Sequence, residues 1–239
     1  GLLVADALRH NCHKMIIGLG GSATSDAGIG MLRALIDTFA PEDHFNAIRP
    51  LFDNCEVILA SDVTNPLYGI NGAAHVFAKQ KGATSSMIEA LDARAKQFAL
   101  HTKRAMGFDK SMQPGAGAAG GLGYAFMQFL NAKMQSGAEL LLHLLQFDKL
   151  LAHADIVITG EGKSDRQTLM GKLPAVIMQH ARQHHLPTLL LSGQIEDHDS
   201  LISAGFKAAC AVKPSNMPLE EAMIPEKAEA NIRDFPLPI

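Results

Sequence analysis

Acidic, basic and hydroxyl side chains are concentrated in residues 159–168, which read TGEGKSDRQT. This segment follows an apolar run at residues 154–159 that is typical of a buried strand, and Gly171 and Lys172 come shortly after it. Carboxylates can bind Mg²⁺, lysines can bind phosphates and glycines leave room for both, so the set suits phosphoryl transfer. A solvated surface loop with incidental charges is the alternative. The position at the carboxyl end of a strand favours a functional role.

A glycine-rich loop, GLGGSATSDAG, occupies residues 18–28. It lies between an apolar run at residues 14–19 and a predicted helix over residues 26–36. Glycines let backbone N–H groups approach a ligand, and a helix N-terminus favours negative charge, so the loop suits a phosphate or a carboxylate. A tight strand-to-helix turn explains the same residues, with Ser22, Thr24 or Asp26 as the N-cap.

A third polar segment, SDVTNPL, follows a predicted strand at residues 57–60. At such a strand end, Asp62 and Asn65 are suited to hold Mg²⁺, position a substrate hydroxyl or act as a general base. An Asx turn ahead of Pro66 is the structural alternative.

A fourth segment, PGAGAAGGLG at residues 114–123, matches GxGxxG through Gly115, Gly117 and Gly120. No strand is predicted before it and no acidic residue follows at the required distance, so the dinucleotide-binding interpretation fails. An anion-binding nest or close helix packing remains. The chain also lacks the Walker A motif and the protein-kinase signature set. His180 and His184 are interpreted as helix-surface groups rather than as a metal site.

The elements that must position these residues form an α/β protein. From residue 154 onward strands alternate with helices, which predicts a parallel sheet with helices on its faces. The earlier part is more glycine-rich, and the change in composition places a boundary near residues 146–151. The predicted strands are 14–19, 57–60, 154–159, 186–192 and 208–212; the predicted helices are 26–36, 84–105, 124–130, 138–151, 173–184 and 219–232, with a further helical pattern at the very start of the chain.

Composition describes a globular protein of 239 residues with 47% hydrophobic and 19% charged residues. A net charge of -3 gives no electrostatic reason to expect nucleic acid or an anionic membrane as a partner. The three cysteines lack CxxC spacing, which favours reduced thiols in the cytoplasm over a disulfide framework or zinc site. No apolar run approaches the roughly 20 residues of a membrane helix.

Taken in this order, the four segments resemble the glycerate kinase family whose bacterial members make 2-phosphoglycerate. The resemblance rests on GGSATSDAG, SDVTNPLYGINGAAHVFAKQKGA, PGAGAAGGLG and ADIVITGEGKSDRQTLMGKLP, and it runs from Gly1 to about Val212. It implies an ATP- and Mg²⁺-dependent transfer of the γ-phosphoryl group to D-glycerate. It also implies two α/β lobes, one Rossmann-like and one inserted, with the active site in the cleft between them. Residues 1–150 are expected to be most of the inserted lobe and residues 151–239 the C-terminal part of the Rossmann-like lobe.

The family begins with a strand and a loop like APDSFKGSLSA, which this sequence does not contain. We therefore expect an N-terminally truncated chain whose Rossmann-like lobe is incomplete. Two alternatives to an active kinase stay open: an inactive kinase fragment, and a non-catalytic module that binds carboxylates or phosphates. The carboxylates of GEGKSDRQT argue against pure anion binding, because an anion binder gains nothing from them. Glycerate and ATP are the expected partners, and a homodimer is left open.

Residue chemistry and the resemblance together assign roles to the residues of the four segments. The expected catalytic residues are Asp62, Asp165 and Lys172; the substrate-binding residues are Gly20, Gly21, Ser22, Thr24, Asp26, Thr64, Asn65 and Lys81; the nucleotide- or phosphate-binding residues are Gly115, Gly117, Gly120, Gly160, Gly162, Gln167 and Thr168; and the Mg²⁺ ligands are Glu161 and Asp165.

Overall fold

The computed structural model describes residues 1–40 and 47–238 and divides the chain into two compact units. Unit 1 is Gly1–Gly137 and unit 2 is Ala138–Ile239, and each contains a three-stranded parallel sheet. The predicted α/β class and parallel pairing are thereby confirmed. The division lies before the one predicted at residue 150, because helices in residues 138–151 pack against a later helix of unit 2 through Ala138, Leu142 and Val176.

Unit 1 is built around the sheet order β1-β2-β3. Gly18 pairs with Ala60 and Ala60 pairs with Gln135, so the three strands end side by side. The elements of unit 1 are α1 (Leu2–Arg9), β1 (Lys14–Gly18), α2 (Ile29–Phe39), β2 (Glu56–Ala60), α3 (Ser85–Met106), α4 (Ala118–Phe129) and β3 (Lys133–Gln135).

Local sequence explains the long helix α3 and the core it covers. Thr84 precedes the helix and its side chain accepts a hydrogen bond from the backbone N–H of Met87, while Gly107 ends it in the left-handed conformation. The predicted helix at residues 84–105 is confirmed. The core beneath holds the fully buried Leu59 and Tyr124.

Unit 2 has the sheet order β4-β5-β6. Its elements are α5 (Gly137–Leu144), α6 (Phe147–Leu151), β4 (Val157–Ser164), α7 (Leu173–Gln183), β5 (Thr188–Ile195), α8 (His198–Ala204), β6 (Ala208–Ala211), α9 (Leu219–Ala222) and α10 (Pro225–Arg233); the first residue of α5 belongs to unit 1. The helices α7 and α8 connect consecutive parallel strands, as the alternation in the sequence predicts.

Several predicted element boundaries are wrong, and one of them is the helix predicted at residues 219–232, which is two helices, α9 and α10. The strand predicted to end at residue 159 continues to Ser164, because Glu161 and Lys163 pair with Ser192 and Gln194 of β5 and this pairing overrides the low strand propensity of glycine. The single helix predicted at residues 138–151 is two helices, because Gln146 has a φ of 53°. In the described residues, no helix combines the length and apolar character needed to cross a membrane.

Candidate functional site

The glycine-rich loop after β1 is held by a lysine that is distant in sequence. The ammonium of Lys81 donates to the hydroxyl of Ser22 at 2.9 Å and to the backbone oxygen of Thr24 at 2.7 Å. Burial lowers the pKa of Lys81 below its usual value. The loop therefore presents a positive charge beside a hydroxyl, which is an arrangement that attracts an anion.

Asp26 stabilises the same loop from within. Its Oδ1 accepts from the hydroxyl of Thr24 and the N–H of Gly28, both at 2.9 Å, and its Oδ2 accepts from the N–H of Gly30 at 2.8 Å. Burial alone would raise the pKa of Asp26, but the hydrogen bonds from Gly30, Thr24 and Gly28 outweigh it and hold the pKa below its usual value. Asp26 thus accepts backbone N–H groups at the start of α2, but the N-cap residue of this helix is Gly28, so the N-cap position predicted for Ser22, Thr24 or Asp26 is wrong.

A cavity of about 460 Å³ opens at this loop. It is lined by Gly20, Gly21, Ser22 and Lys81, together with Val63 from the segment after β2. A Cβ at Gly20 would meet no atom within 4 Å, so a side chain at this position would not clash with neighbouring atoms. A larger hollow of about 1000 Å³ along β1 shares Gly20 and Ser22 with it, but its other walls are mainly apolar.

Asp62, one residue before Val63, is directed toward the end of β3. Its Oδ1 accepts from the hydroxyl of Ser136 at 2.8 Å and from the N–H of Gly137 at 3.0 Å. The three-residue strand β3 carries too little periodicity to be recognised in sequence, so Ser136 was not among the predicted site residues. The sequence signal that could have identified Ser136 is its position immediately before the start of α5.

Asn65 and Thr64 follow on the same segment. The Asn65 side chain donates to the backbone oxygen of Asn71 at 2.8 Å, and its own backbone oxygen accepts from the N–H of Gly117 at 2.9 Å. Thr64 is exposed. The amide of Asn65 thus closes a local turn, while Thr64 is accessible to solvent.

The glycine-rich segment at residues 114–123 joins the two loops by close packing. A Cβ at Gly117 would lie 2.3 Å from the backbone oxygen of Pro66, and one at Gly120 would lie 2.0 Å from that of Thr24. Gly120 also accepts a hydrogen bond from the N–H of Ala27 at 3.0 Å. The packing interpretation therefore accounts for Gly117 and Gly120, and a Cβ at Gly115 would likewise meet the side chain of Met134 at 2.6 Å.

In unit 2, Glu161 is the centre of a hydrogen-bonded group at the carboxyl end of β4. Its Oε1 accepts from the hydroxyls of Ser164 and Thr168, and its Oε2 lies 3.8 Å from the ammonium of Lys172. The Glu161 side chain is 19% exposed, whereas Ser164 and Thr168 are completely buried. The two buried hydroxyls fix a carboxylate that still reaches the surface.

Asp165 caps the short helical turn that follows. Its Oδ1 accepts from the N–H of Gln167 at 2.8 Å, while its own N–H donates to the hydroxyl of Thr168 at 3.1 Å, which forms a capping box. Gln167 is exposed. Gly160 packs on β5, since a Cβ there would lie 2.2 Å from the backbone oxygen of Leu191, whereas Gly162 has open space.

The carboxylates near β4 are compatible with a divalent cation that is shared with a ligand. Within residues 1–40 and 47–238 no group of three or more histidine, cysteine, aspartate or glutamate side chains is arranged to hold a metal ion. Mg²⁺ commonly binds through one or two carboxylates and completes its shell with water and phosphate oxygens. Glu161 and Asp165 fit that mode of binding and do not form a complete protein cage.

Comparison with known proteins adds an independent line of information. The model of a family described as the glycerate kinase family matches residues 1–236. The glycerate 2-kinase of Escherichia coli is 37% identical over 240 residues, covering 93% of this chain and 63% of that protein. A glycerate kinase of Bacillus subtilis is 34% identical over 255 residues, covering 98% of this chain and 67% of that one.

A solved structure agrees with these relatives. A crystal structure described as a glycerate kinase 2 from Salmonella typhimurium has a TM-score of 0.75 and 34% identity, and the match covers 97% of this chain and 64% of that chain. The present chain therefore spans between 63% and 67% of the length of these three proteins.

Proposed function

The chain belongs to the glycerate kinase family, and on that premise we propose that it forms part of an enzyme that phosphorylates D-glycerate. In this reaction the γ-phosphoryl group of ATP passes to a hydroxyl of D-glycerate and yields 2-phosphoglycerate. The family match supports glycerate as the acceptor. ATP and Mg²⁺ follow from the general chemistry of kinases, in which a metal ion neutralises the phosphate charge.

The observation that carries the proposal is the contact of Lys81 with the loop after β1. The ammonium bridges the Ser22 hydroxyl and the Thr24 backbone oxygen beside a cavity of about 460 Å³. Because the Ser22 oxygen accepts from Lys81, its own O–H is free to donate to a ligand. A carboxylate such as that of glycerate can therefore receive a charge-assisted hydrogen bond, with the backbone N–H groups of Gly20 and Gly21 close by.

Asp62 is the proposed group that orients the reacting hydroxyl or takes its proton. The bonds from Ser136 and Gly137 occupy Oδ1 and fix the carboxylate, which is the preorganisation that a base requires. Thr64 and Asn65, which follow Asp62 on the same segment, are proposed to donate hydrogen bonds to glycerate.

The proposed phosphate-handling part is the group at the end of β4. Lys172 neutralises phosphate charge, and Gly162 keeps the strand backbone open to the nucleotide, whereas Gly160 is accounted for by its packing on β5. Mg²⁺ bound through Glu161 or Asp165 would supply further charge neutralisation. The exposed Gln167 is available to a phosphate, whereas the buried Thr168 acts by holding Glu161 in place.

The proposal also places the protein in the cytoplasm, where ATP is available, and Cys12, Cys55 and Cys210 are free thiols in keeping with that compartment. A homodimer stays a prediction.

The binding half of the proposal is tested by calorimetric titration of the 239-residue chain with D-glycerate. We expect Lys81→Met to weaken binding by roughly 10- to 150-fold, because a hydrogen bond to a charged group contributes about 1.5–3 kcal/mol. Lys79→Met is the matched control, since Lys79 is exposed and lies two residues earlier in the same segment. Equal affinities of the two variants for D-glycerate would show that Lys81 does not contribute to glycerate binding.

The catalytic half is tested by incubating the chain with ATP, Mg²⁺ and D-glycerate and following phosphoglycerate by ³¹P NMR. Turnover should fall by about 10²- to 10⁴-fold in Asp62→Asn if Asp62 is the general base. Glycerate binding without any turnover would favour an inactive fragment or a binding module. Absence of both would overturn the proposed function.

A further inference from the structure

Unit 2 contains a cavity of about 590 Å³ beside β4, and Glu161 is one of the residues at its border. Side chains alternate along a strand, so residues 158, 160 and 162 of β4 share one face, and Thr159 also contributes to the lining of the cavity. The cavity is bounded by this face and by residues of α9 and α10. Its volume lies within the range of sites that enclose small organic molecules.

The walls of this cavity are mainly apolar. Ile158 and Leu191 come from the strands, and Met223, Ala228 and Ile232 come from the helices or the turn between them. These groups suit the faces of a flat, weakly polar ligand, and they offer nothing to a phosphate.

Two polar side chains at the edge of the cavity, Lys213 and Asn231, form hydrogen bonds within the protein. The ammonium of Lys213 donates to the backbone oxygens of Pro214 at 3.1 Å and Met217 at 2.8 Å, and the Asn231 amide donates to the sulfur of Met217. The positive charge of Lys213 thus closes a loop of the chain, so the cavity favours a neutral ligand over an anion.

Gly162 provides an independent indication that the cavity is kept open. A Cβ at this position would meet no atom within 4 Å, and its backbone is not in the left-handed region. Neither packing nor backbone conformation therefore requires glycine. Its immediate neighbour in β4 is Glu161, whose carboxylate belongs to the proposed phosphate-handling group.

We propose that this cavity, hereafter the nucleoside cavity, binds the base and ribose of the phosphoryl donor. A nucleotide has a neutral heteroaromatic end and an anionic end, and the cavity has mainly apolar walls and is bordered by Glu161, whose carboxylate lies 3.8 Å from the ammonium of Lys172. The inference rests on the proposed function in so far as the donor is a nucleoside triphosphate.

The test is calorimetric titration of the 239-residue chain and its variants with ADP. Ala228→Leu places a branched side chain in the cavity, and Ala230→Leu makes the same change on the same helix at a residue outside the cavity lining. Ala and Leu have similar helix propensities, so neither change disturbs α10 by itself. We expect Ala228→Leu to weaken ADP binding at least about tenfold, since small size mismatches in apolar pockets change binding by roughly 10- to 200-fold. We expect Ala230→Leu to bind like the parent chain.

Gly162→Ala is the second variant. It tests the nucleoside cavity if circular dichroism shows that the Ala228→Leu chain does not fold. It should also weaken ADP binding, because its methyl group enters the cavity from the sheet side. Tripolyphosphate serves as a probe without a nucleoside, and its binding should be the same in the parent, Ala228→Leu and Ala230→Leu chains.

Equal ADP affinities of the folded Ala228→Leu and Ala230→Leu chains would overturn the nucleoside cavity while leaving the proposed kinase function intact. An equal loss of tripolyphosphate and ADP binding would also overturn it, because the effect would then not concern the nucleoside. A parent chain that does not bind ADP overturns it as well. A parallel titration with D-glycerate then shows whether the acceptor half of the proposed function stands.

Discussion

Replacement of His180 by glutamine should destabilise the protein at acidic pH and much less at alkaline pH. His180 on α7 lies between two carboxylates of unit 2: its Nδ1 is 2.8 Å from Asp148 on α6, and its Nε2 is 3.1 Å from Glu139 on α5. The hydrogen bond to Asp148 is the main cause that raises the pKa of His180 above its usual value, with Glu139 adding to it and burial opposing it.

The direction of the pH dependence follows from whether the folded or the unfolded state binds the proton of His180 more tightly. Because the folded pKa of His180 is raised, its stabilising contribution is fully present below the unfolded pKa of about 6.5 and is lost as the pH rises through the folded pKa. The pKa of Asp148 is lowered, chiefly by the hydrogen bond from His180, so its contribution is lost as the pH falls through its folded value, below 3.8. The cluster is therefore most stabilising between about pH 4 and 6.5.

The magnitude lies between that of a buried and that of an exposed ion pair. The His180 side chain is 16% exposed, but Glu139 and Asp148 are 50% and 58% exposed. Shielded hydrogen bonds to charged groups contribute about 1.5–3 kcal/mol, and exposed pairs contribute about 0.2–1 kcal/mol. We expect His180→Gln to lower the free energy of unfolding by roughly 1–2 kcal/mol at pH 5.5 and by about 0.5 kcal/mol at pH 8.5.

Urea unfolding followed by far-UV circular dichroism at the two pH values measures this difference. His153→Gln is the control, since His153 is exposed and follows α6 in the same unit. His184→Gln should show a smaller effect, because the Nε2 of His184 lies 3.4 Å from Asp148, whereas the Nδ1 of His180 lies 2.8 Å from it. A loss that is equal at both pH values, or larger at pH 8.5, would refute the reasoning. An NMR titration that places the pKa of His180 below 6.5 would refute it directly.

Three further substitutions test other parts of the structure by urea unfolding. Gly117→Ala should cost more than about 1 kcal/mol, because the added methyl group would meet the backbone oxygen of Pro66, and an unchanged midpoint would contradict the packing interpretation. Leu59→Ala should cost about 2–5 kcal/mol, since Leu59 is completely buried in the core of unit 1, and a loss below 1 kcal/mol would show that the core relaxes around it. Thr168→Val should cost about 1–3 kcal/mol, because the buried hydroxyl that bonds Glu161 is removed, and a neutral effect would show that this bond is not needed for folding.

Several features of the fold could be predicted from local sequence because their determinants are local. The strand before the glycine loop is a short apolar run that ends in glycine, and α3 is a long series of helix formers with Thr84 and Gly107 at its ends. Parallel pairing in unit 2 followed from the spacing of strands and helices. These predictions needed no knowledge of which distant residues meet.

Other features depend on contacts that no local pattern records. The extension of β4 through Gly162 and Lys163 depends on the neighbouring strand β5, and sequence reasoning therefore placed a loop there. The strand β3 is stabilised by pairing with β2, and its three residues carry no recognisable periodicity by themselves.

The sequence by itself determined the chemical inventory of this protein: a lysine, hydroxyls and carboxylates in glycine-rich segments at strand ends, in an order that resembles one enzyme family. The tertiary structure decided which of these residues meet, including Lys81 with Ser22 and Asp62 with Ser136. It also separated the glycines that packing requires, such as Gly117, from those with open space, such as Gly162. The physical reason is that residue type fixes what a group can bind. The contact of Lys81 with Ser22 spans 59 positions of the chain and that of Asp62 with Ser136 spans 74, so both depend on the fold, in which parallel strands end side by side.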